Sequence, residues 1–199
     1  MILTFPTIRI AQASFGLRSN TQEHRSPFSG AVQTLELPGA VWQASLTLRG
    51  LSSSECRALS AWLVQLRGRA GRFYLHDHSH PGPAGVASGV PVVSGAGQTG
   101  NQLVTSGWTP NTAGILKAGD YIQIGSELKM VVADAASNGA GAATLQIEPP
   151  IRTSPASGSL IVTAQASCVM MLADDEQTRW ATRPPLRSDL TLNCVEALL

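Results

Sequence analysis

The stretch from Gly95 to Ile124, GAGQTGNQLVTSGWTPNTAGILKAGDYIQI, constrains this chain more than any other. It is rich in Gly, Thr and Asn and poor in charge. Gly is costly in a helix interior, and Asn and Thr compete for the helical backbone, so the segment cannot be a helix. It reads as short strands joined by tight turns. The same character runs from about Pro81 to Gln165, where alternation recurs at Ile122 and Ile124, at Leu128, Met130 and Val132, at Leu145 and Ile147, and at Leu160 and Val162. Ser137-Asn138-Gly139 marks one intervening turn. This pattern predicts a compact all-β unit of five or six strands, a small barrel or sandwich.

The flanking sequence has a different texture. In 41–48, VWQASLTL, alternation places Trp42, Ala44, Leu46 and Leu48 on one face of a half-buried strand. Ser52 and Glu55 then form a capping box. Cys56, Leu59, Trp62, Leu63 and Leu66 follow at helical spacing and define a stripe facing a core, and Gly68 is the expected helix stop. RFYLH at 72–76 starts another strand. Beyond Gln165, SCVMML at 167–172 reads as a buried strand, and 189–196 as a final one with Leu190, Leu192 and Cys194 on one face. The expected fold is mainly β with one amphipathic helix: a discontinuous β-sandwich domain of residues 1–82 and 166–199, interrupted by an inserted β domain of residues 83–165. An insertion at a loop tip adds little loop-closure entropy.

Composition narrows the function classes. The 199 residues are 43% hydrophobic but only 14% charged, with a net charge of +1. A protein that wraps nucleic acid would show a basic face. Arg67, Arg69 and Arg72 cluster, but at a helix end, where cations suit the dipole. Sparse charge with abundant Gly and Pro suits a chain that hides surface in an assembly. No apolar run reaches the roughly 18 residues of a membrane span. MILTFPTIRIAQ lacks the basic start and long apolar core of a signal peptide, so synthesis and retention in a cytoplasm are expected unless something larger carries the chain out. Cys56, Cys168 and Cys194 have no metal spacing and read as packing residues.

Sites of chemistry are few. His76, His78 and His80 alternate along one strand and are the candidate metal ligands. Extended spacing spreads three such residues over about 13 Å, too far for one ion unless the backbone bends. Pro81 and Gly82, next in the chain, permit a bend. Asp174-Asp175-Glu176 reads as a solvated acidic turn rather than an acid–base pair. GAGQTG lacks the third glycine and the following helix of a phosphate loop. Trp108, in GWTPN, is either the plug of a small barrel or a platform for stacking a sugar. No nucleophile elbow, phosphate loop or zinc-protease helix is present. The expectation is no enzyme, no catalytic residue and no cofactor.

GAGQTG at 95–100, GWTPN at 107–111 and LKAGDYIQIG at 116–125 together resemble a segment of small tail proteins from long-tailed bacteriophages and prophages. The likeness runs through most of the chain: the Trp42 strand, the Trp62 helix, RAGRFYLHD at 69–77, LQIEPPIR at 145–152 and SPASG at 154–158 resemble the distal tail proteins of such phages. The strand after the helix departs from their pattern. It ends in His-Asp-His-Ser-His where they carry a Gly-Asp-Pro-Asp-like loop, so no role for that loop transfers. The resemblance implies a virion protein of the tail tip. It implies a ring, usually of six copies, between the tail tube and the baseplate hub, with DNA passing through the lumen without specific binding and no membrane insertion. The inserted unit would point outward. A carbohydrate-binding tail module that touches the host surface is the alternative, and a metal-dependent hydrolase using the histidines is a third reading.

Overall fold

The computed structural model describes residues 2–177, 179, 181–183 and 187–198. Met1, Leu199 and parts of the expected 166–199 segment lie outside them. The strands run β1 (Ile2–Thr4), β2 (Gln12–Arg18), β3 (Thr21–Arg25), β4 (Val32–Glu36) and β5 (Val41–Leu51), before helix α1 (Ser53–Leu66) and β6 (Arg72–His76). Then come β7 (Gly89–Val93), β8 (Gly100–Trp108), β9 (Tyr121–Ile124), β10 (Glu127–Val131), β11 (Ala143–Ile151), β12 (Ile161–Val162), β13 (Ser167–Leu172), β14 (Ala181–Arg183) and β15 (Arg187–Glu196). The fold is mainly β, with α1 the one α-helix among the described residues. No described helix is long and apolar enough to cross a membrane. Two compact units divide the chain: Pro6–Arg72 with Met170–Leu198, and Ile2–Phe5 with Phe73–Val169. The segment 83–165 lies wholly within the second unit, which also holds β1, most of β6 and the first half of β13.

In the first unit, β5 pairs antiparallel with β15 on one side and β2 on the other. Leu46 faces Leu192, and Ala44 faces Cys194, so the two alternating rows meet on one surface of the sheet. Helix α1 packs on β5 and β15 and buries Leu59, Trp62, Leu63 and Leu66; Cys56 is only half-buried. The capping box forms as the sequence predicts. Ser52 Oγ accepts from Glu55 N (3.3 Å), and Glu55 Oε2 accepts from Ser52 N (2.8 Å). The helix stop is one residue earlier than expected: Arg67, not Gly68, is the left-handed cap, with φ 54° and its N–H bonded to Val64 O. Gly68 also has positive φ, and a side chain there would collide with Asp175. The acidic turn is not merely solvated, because Asp175 Oδ1 accepts from Arg69 N (2.7 Å) and holds the short 3-10 turn Gly68–Ala70 in place.

The first unit also carries an element that the sequence reading did not resolve. β3 and β4 form a two-stranded hairpin that belongs to neither larger sheet. Both strands are exposed along their whole length, and Phe28 at the tip is 99% exposed. The base is pinned by Leu37 N to Asn20 O and by Asn20 Nδ2 to Pro38 O.

In the second unit, β1 and β6 pair beside β13, and six strands form a separate sheet in the order β12-β9-β10-β11-β8-β7. That sheet curls nearly shut. Val92 bridges to Leu160, Val93 N donates to Ser159 O, and Gly158 N donates to Val93 O. Its interior holds Val93, Leu103, Trp108, Ile115, Leu116, Ile122, Leu145 and Ile147 among others. Two strands run in the opposite phase to expectation. In β12, Ile161 is buried while Leu160 and Val162 are exposed. In β10, Lys129 and Val131 are buried, Val132 beyond its end is half exposed, and Leu128 is buried opposite Gln123. A lysine therefore sits where an aliphatic residue was expected. Its stem lies in the interior row with Ile122, its register partner, and its ammonium reaches Pro150 O (2.7 Å) and Glu127 Oε2 (2.6 Å). Burial alone would raise the Glu127 pKa; bonding to Lys129 and to the Thr153 and Arg152 amides overrides it, and the net shift is downward.

Two outcomes follow for stability. Trp62→Ala should cost roughly 3–5 kcal/mol in denaturant unfolding, as aromatic truncations in cores do. Lys129→Met should cost less, about 1–3 kcal/mol, because it removes the ammonium partner of a Glu127 carboxylate that keeps the Thr153 and Arg152 amides. The double change Lys129→Met with Glu127→Gln should recover much of that loss, and a double variant as unstable as the single one would show that the ion pair is not the cause.

Candidate functional site

The three histidines do not lie along one extended strand. β6 ends at His76, and the chain turns at once: His80 N donates to Asp77 O (3.1 Å), and Ser79 N to Asp77 Oδ1 (2.8 Å). An Asp that bonds the amide two residues on is the usual device for such a turn. The other carboxylate oxygen, Oδ2, lies 2.9 Å from His80 Nδ1. Asp77 itself is only 5% exposed. Tyr121, at the start of β9, adds a side-chain hydrogen bond to the same carboxylate. Burial first, and then the Asp77 charge, push the Tyr121 phenol up to about 12. Sequence reasoning passed over Asp77 because it sits between two histidines.

The bend brings His76 and His78 together. Their rings stack with centroids 4.3 Å apart and planes inclined by 27°. Phe5 stands edge-on to His78 at 6.3 Å, and tilted against Phe73 at the same distance. His78 Nδ1 is buried with no hydrogen-bond partner. Burial lowers both imidazoles below their ordinary value; His78 is lowered further by His76, and Asp77 works against both shifts. A stacked pair cannot share one ion readily. Imidazole lone pairs lie in the ring planes, and nearly parallel planes do not converge on a point about 2 Å from each nitrogen. His80 is turned to Asp77 instead. Among the described residues no group of three His, Cys, Asp or Glu side chains is placed to hold a metal.

Trp108 is 3% exposed and lies in the interior of the six-stranded sheet. Its Nε1–H donates to Thr105 Oγ1 (2.8 Å), which donates in turn to Ala143 O (2.8 Å). The backbone around it is tightly packed. Gly107 and Gly141 both have positive φ, and a side chain on either would strike Val90 O or Trp108 O. The ring thus offers no face for stacking a sugar. Tyr121, the other aromatic residue of 83–165, is 7% exposed.

The motifs singled out by resemblance have structural tasks. Gln98 of GAGQTG donates to the carbonyls of Ser94, Gly95 and Val104 and accepts from Val104 N, closing its loop from within. Asp120 of LKAGDYIQIG is 5% exposed and accepts from Ala84 N (2.6 Å), Gly85 N (3.0 Å) and Lys117 N (2.7 Å). In GWTPN, Asn111 takes the left-handed conformation, and Ser137 Oγ bonds Thr109 O and Thr112 N. Neither Asp120 nor the Lys129–Glu127 pair was singled out from sequence. The signal for Asp120 was its place in a Gly-Asp step ahead of a strand; nothing marked Lys129. No protein-family model matches the chain, and no curated protein is significantly similar to it.

Asp77→Ala should destabilise the protein far more than His80→Asn, because it leaves the Ser79 amide and the Tyr121 hydroxyl with unmet bonds, at about 1–3 kcal/mol for each buried group. Changing His80 alone, largely exposed, should cost no more than about 0.5 kcal/mol. Denaturant titration of the two variants checks the order.

Proposed function

We propose that this chain is a structural protein of a bacteriophage or prophage tail tip, assembled with copies of itself into a ring, most simply of six, between the tail tube and the baseplate hub. The reading rests on the resemblance to distal tail proteins, and one structural observation carries the assembly part of it. The β3–β4 hairpin has no core of its own. All ten of its strand residues are exposed, and Phe28, Val32 and Leu35 present apolar side chains to solvent. A free two-stranded hairpin is at best marginally stable in water. Such an arm is suited to lie against a neighbouring copy. Heterologous contacts of that kind close into rings when the rotation permits.

The edge strand β2, which leads into the arm, has the same requirement. Among the described residues it pairs with a strand, β5, on one side only and forms an edge of its sheet. In a ring this edge finds a partner on the next copy. The ring's lumen then passes DNA without base contacts, in keeping with a net charge of +1.

Replacing residues 21–36 by a short Gly-Ser link tests this. The shortened protein should unfold at close to the parental temperature, since the arm adds no buried core, but it should be missing from purified particles. Phe28→Ser should change stability by less than about 0.5 kcal/mol while weakening self-association or incorporation into tails. Detection of the shortened chain in intact particles at parental copy number would exclude the proposed role of the arm. Absence of the full chain from virions would overturn the whole reading.

A further inference from the structure

The histidine turn is also the neck of the six-stranded sheet. Pro81 O accepts from Gln165 N (2.7 Å), so the chain enters and leaves that sheet through one point just past His80. The His80 ring stands edge-on to Tyr121 of β9 at 6.1 Å. Asp77 gathers Ser79 N, His80 Nδ1 and the Tyr121 side chain on one buried carboxylate. This hub ties the end of β6 to the six-stranded sheet. His76 and His78 close its other side, stacked on each other with Phe5 against His78.

The stack does not tolerate two charged rings. One imidazolium rests on a neutral neighbour without penalty, but protons on both rings place two cations with centroids 4.3 Å apart. His78 Nδ1 is buried without a hydrogen-bond partner, so a charged His78 is poorly solvated there. We propose that the His76–His78 pair is an acid-sensitive latch on this neck: stacked with at most one charge it holds the turn closed, and protonated on both rings it lets the turn open. The charged and titratable groups around it are Asp77, His80, Tyr121 and, beyond Tyr121, Cys168. Asp77 and, for His78, a hydrogen bond to the His76 backbone oppose the opening, and the Asp77 carboxylate is already engaged by the turn amide, His80 and Tyr121.

The sign is set by the direction of the shifts. Both imidazoles are lowered from 6.5 in the folded protein, so the unfolded chain binds more protons just below that pH. Stability is full above 6.5 and falls as pH drops through the lowered values. The Glu127 carboxylate, lowered from 4.5, loses its contribution in a separate and more acidic window.

The test is a nitrogen-15 NMR titration of the imidazoles in the full chain, with thermal unfolding at about pH 7.5 and about pH 5.5. Both rings should titrate below 6.5, and the resonances of residues 77–81 and of Tyr121 should shift with them. Wild type should lose several degrees of melting temperature between the two conditions. His78→Phe keeps an aromatic ring against Phe5 but cannot be protonated, and His76→Gln keeps a polar side chain at the strand end. Either variant should cut the acid-dependent loss by about half or more. Titration of either ring at or above 6.5, or an equal loss in both variants, would overturn the latch.

Discussion

Backbone N–H groups that no sheet or helix can reach are the constraint on which this structure depends. With one α-helix and many short strands among its described residues, the chain has much of its length in irregular segments, and buried backbone amides there must still be bonded. The protein meets this demand with a few carboxylates and amides placed inside the loops. Asp77 serves the turn after β6, Asp120 gathers three amides ahead of β9, and Asp175 holds the turn after α1. Gln98 closes the loop ahead of β8 from within, and Asn138 does the same for the loop ahead of β11. Each but Asp175 is a single side chain bonded to two or more groups. Loss of one releases several bonds together, which makes these positions more consequential than their short side chains suggest.

Elements governed by local rules were legible in the sequence. The capping box and stripe of α1 need only residues within one helix, and the alternation of Trp42, Ala44, Leu46 and Leu48 needs only one strand with one buried face. The phase of β10 was not legible for a different reason. Period-two alternation assumes that apolar residues point inward, whereas Leu128 packs on the outer face, and Lys129 points inward with its charge met by Glu127 and Pro150 O. Glu127 lies two residues away on the same face of the strand, but the other partner, Pro150 O, is far along the chain, and no periodicity marks it. The hairpin arm was illegible because TQEHR and VQTLE carry polar residues on both faces, so no burial contrast marks them as strands. For the histidines the residues were visible and the geometry was not. A spacing rule for extended chain cannot anticipate a turn closed by the intervening Asp.

Of the site that resemblance pointed to, the conspicuous residues turned inward. Trp108, Asp120 and Gln98 fill or close the six-stranded sheet rather than face outward to a ligand. The motifs that carry the likeness are therefore instructions for folding that sheet. They bear on architecture directly.

The placement of charge supplies the last step. Charged residues make up only 14% of the chain, and several of those are spent internally. Asp77, Asp120 and Lys129 are buried, and Glu196, 3% exposed, accepts from Trp42 N (3.0 Å). The surface thus carries few charges in absolute terms, and aliphatic side chains such as Val90, Leu160 and Val64 stand exposed, as do Phe28 and Leu35 of the arm. A free monomer of this kind has little like-charge repulsion to keep copies apart. The same distribution suits a subunit whose faces are covered by neighbours, because each face that must be buried brings few charges to be desolvated.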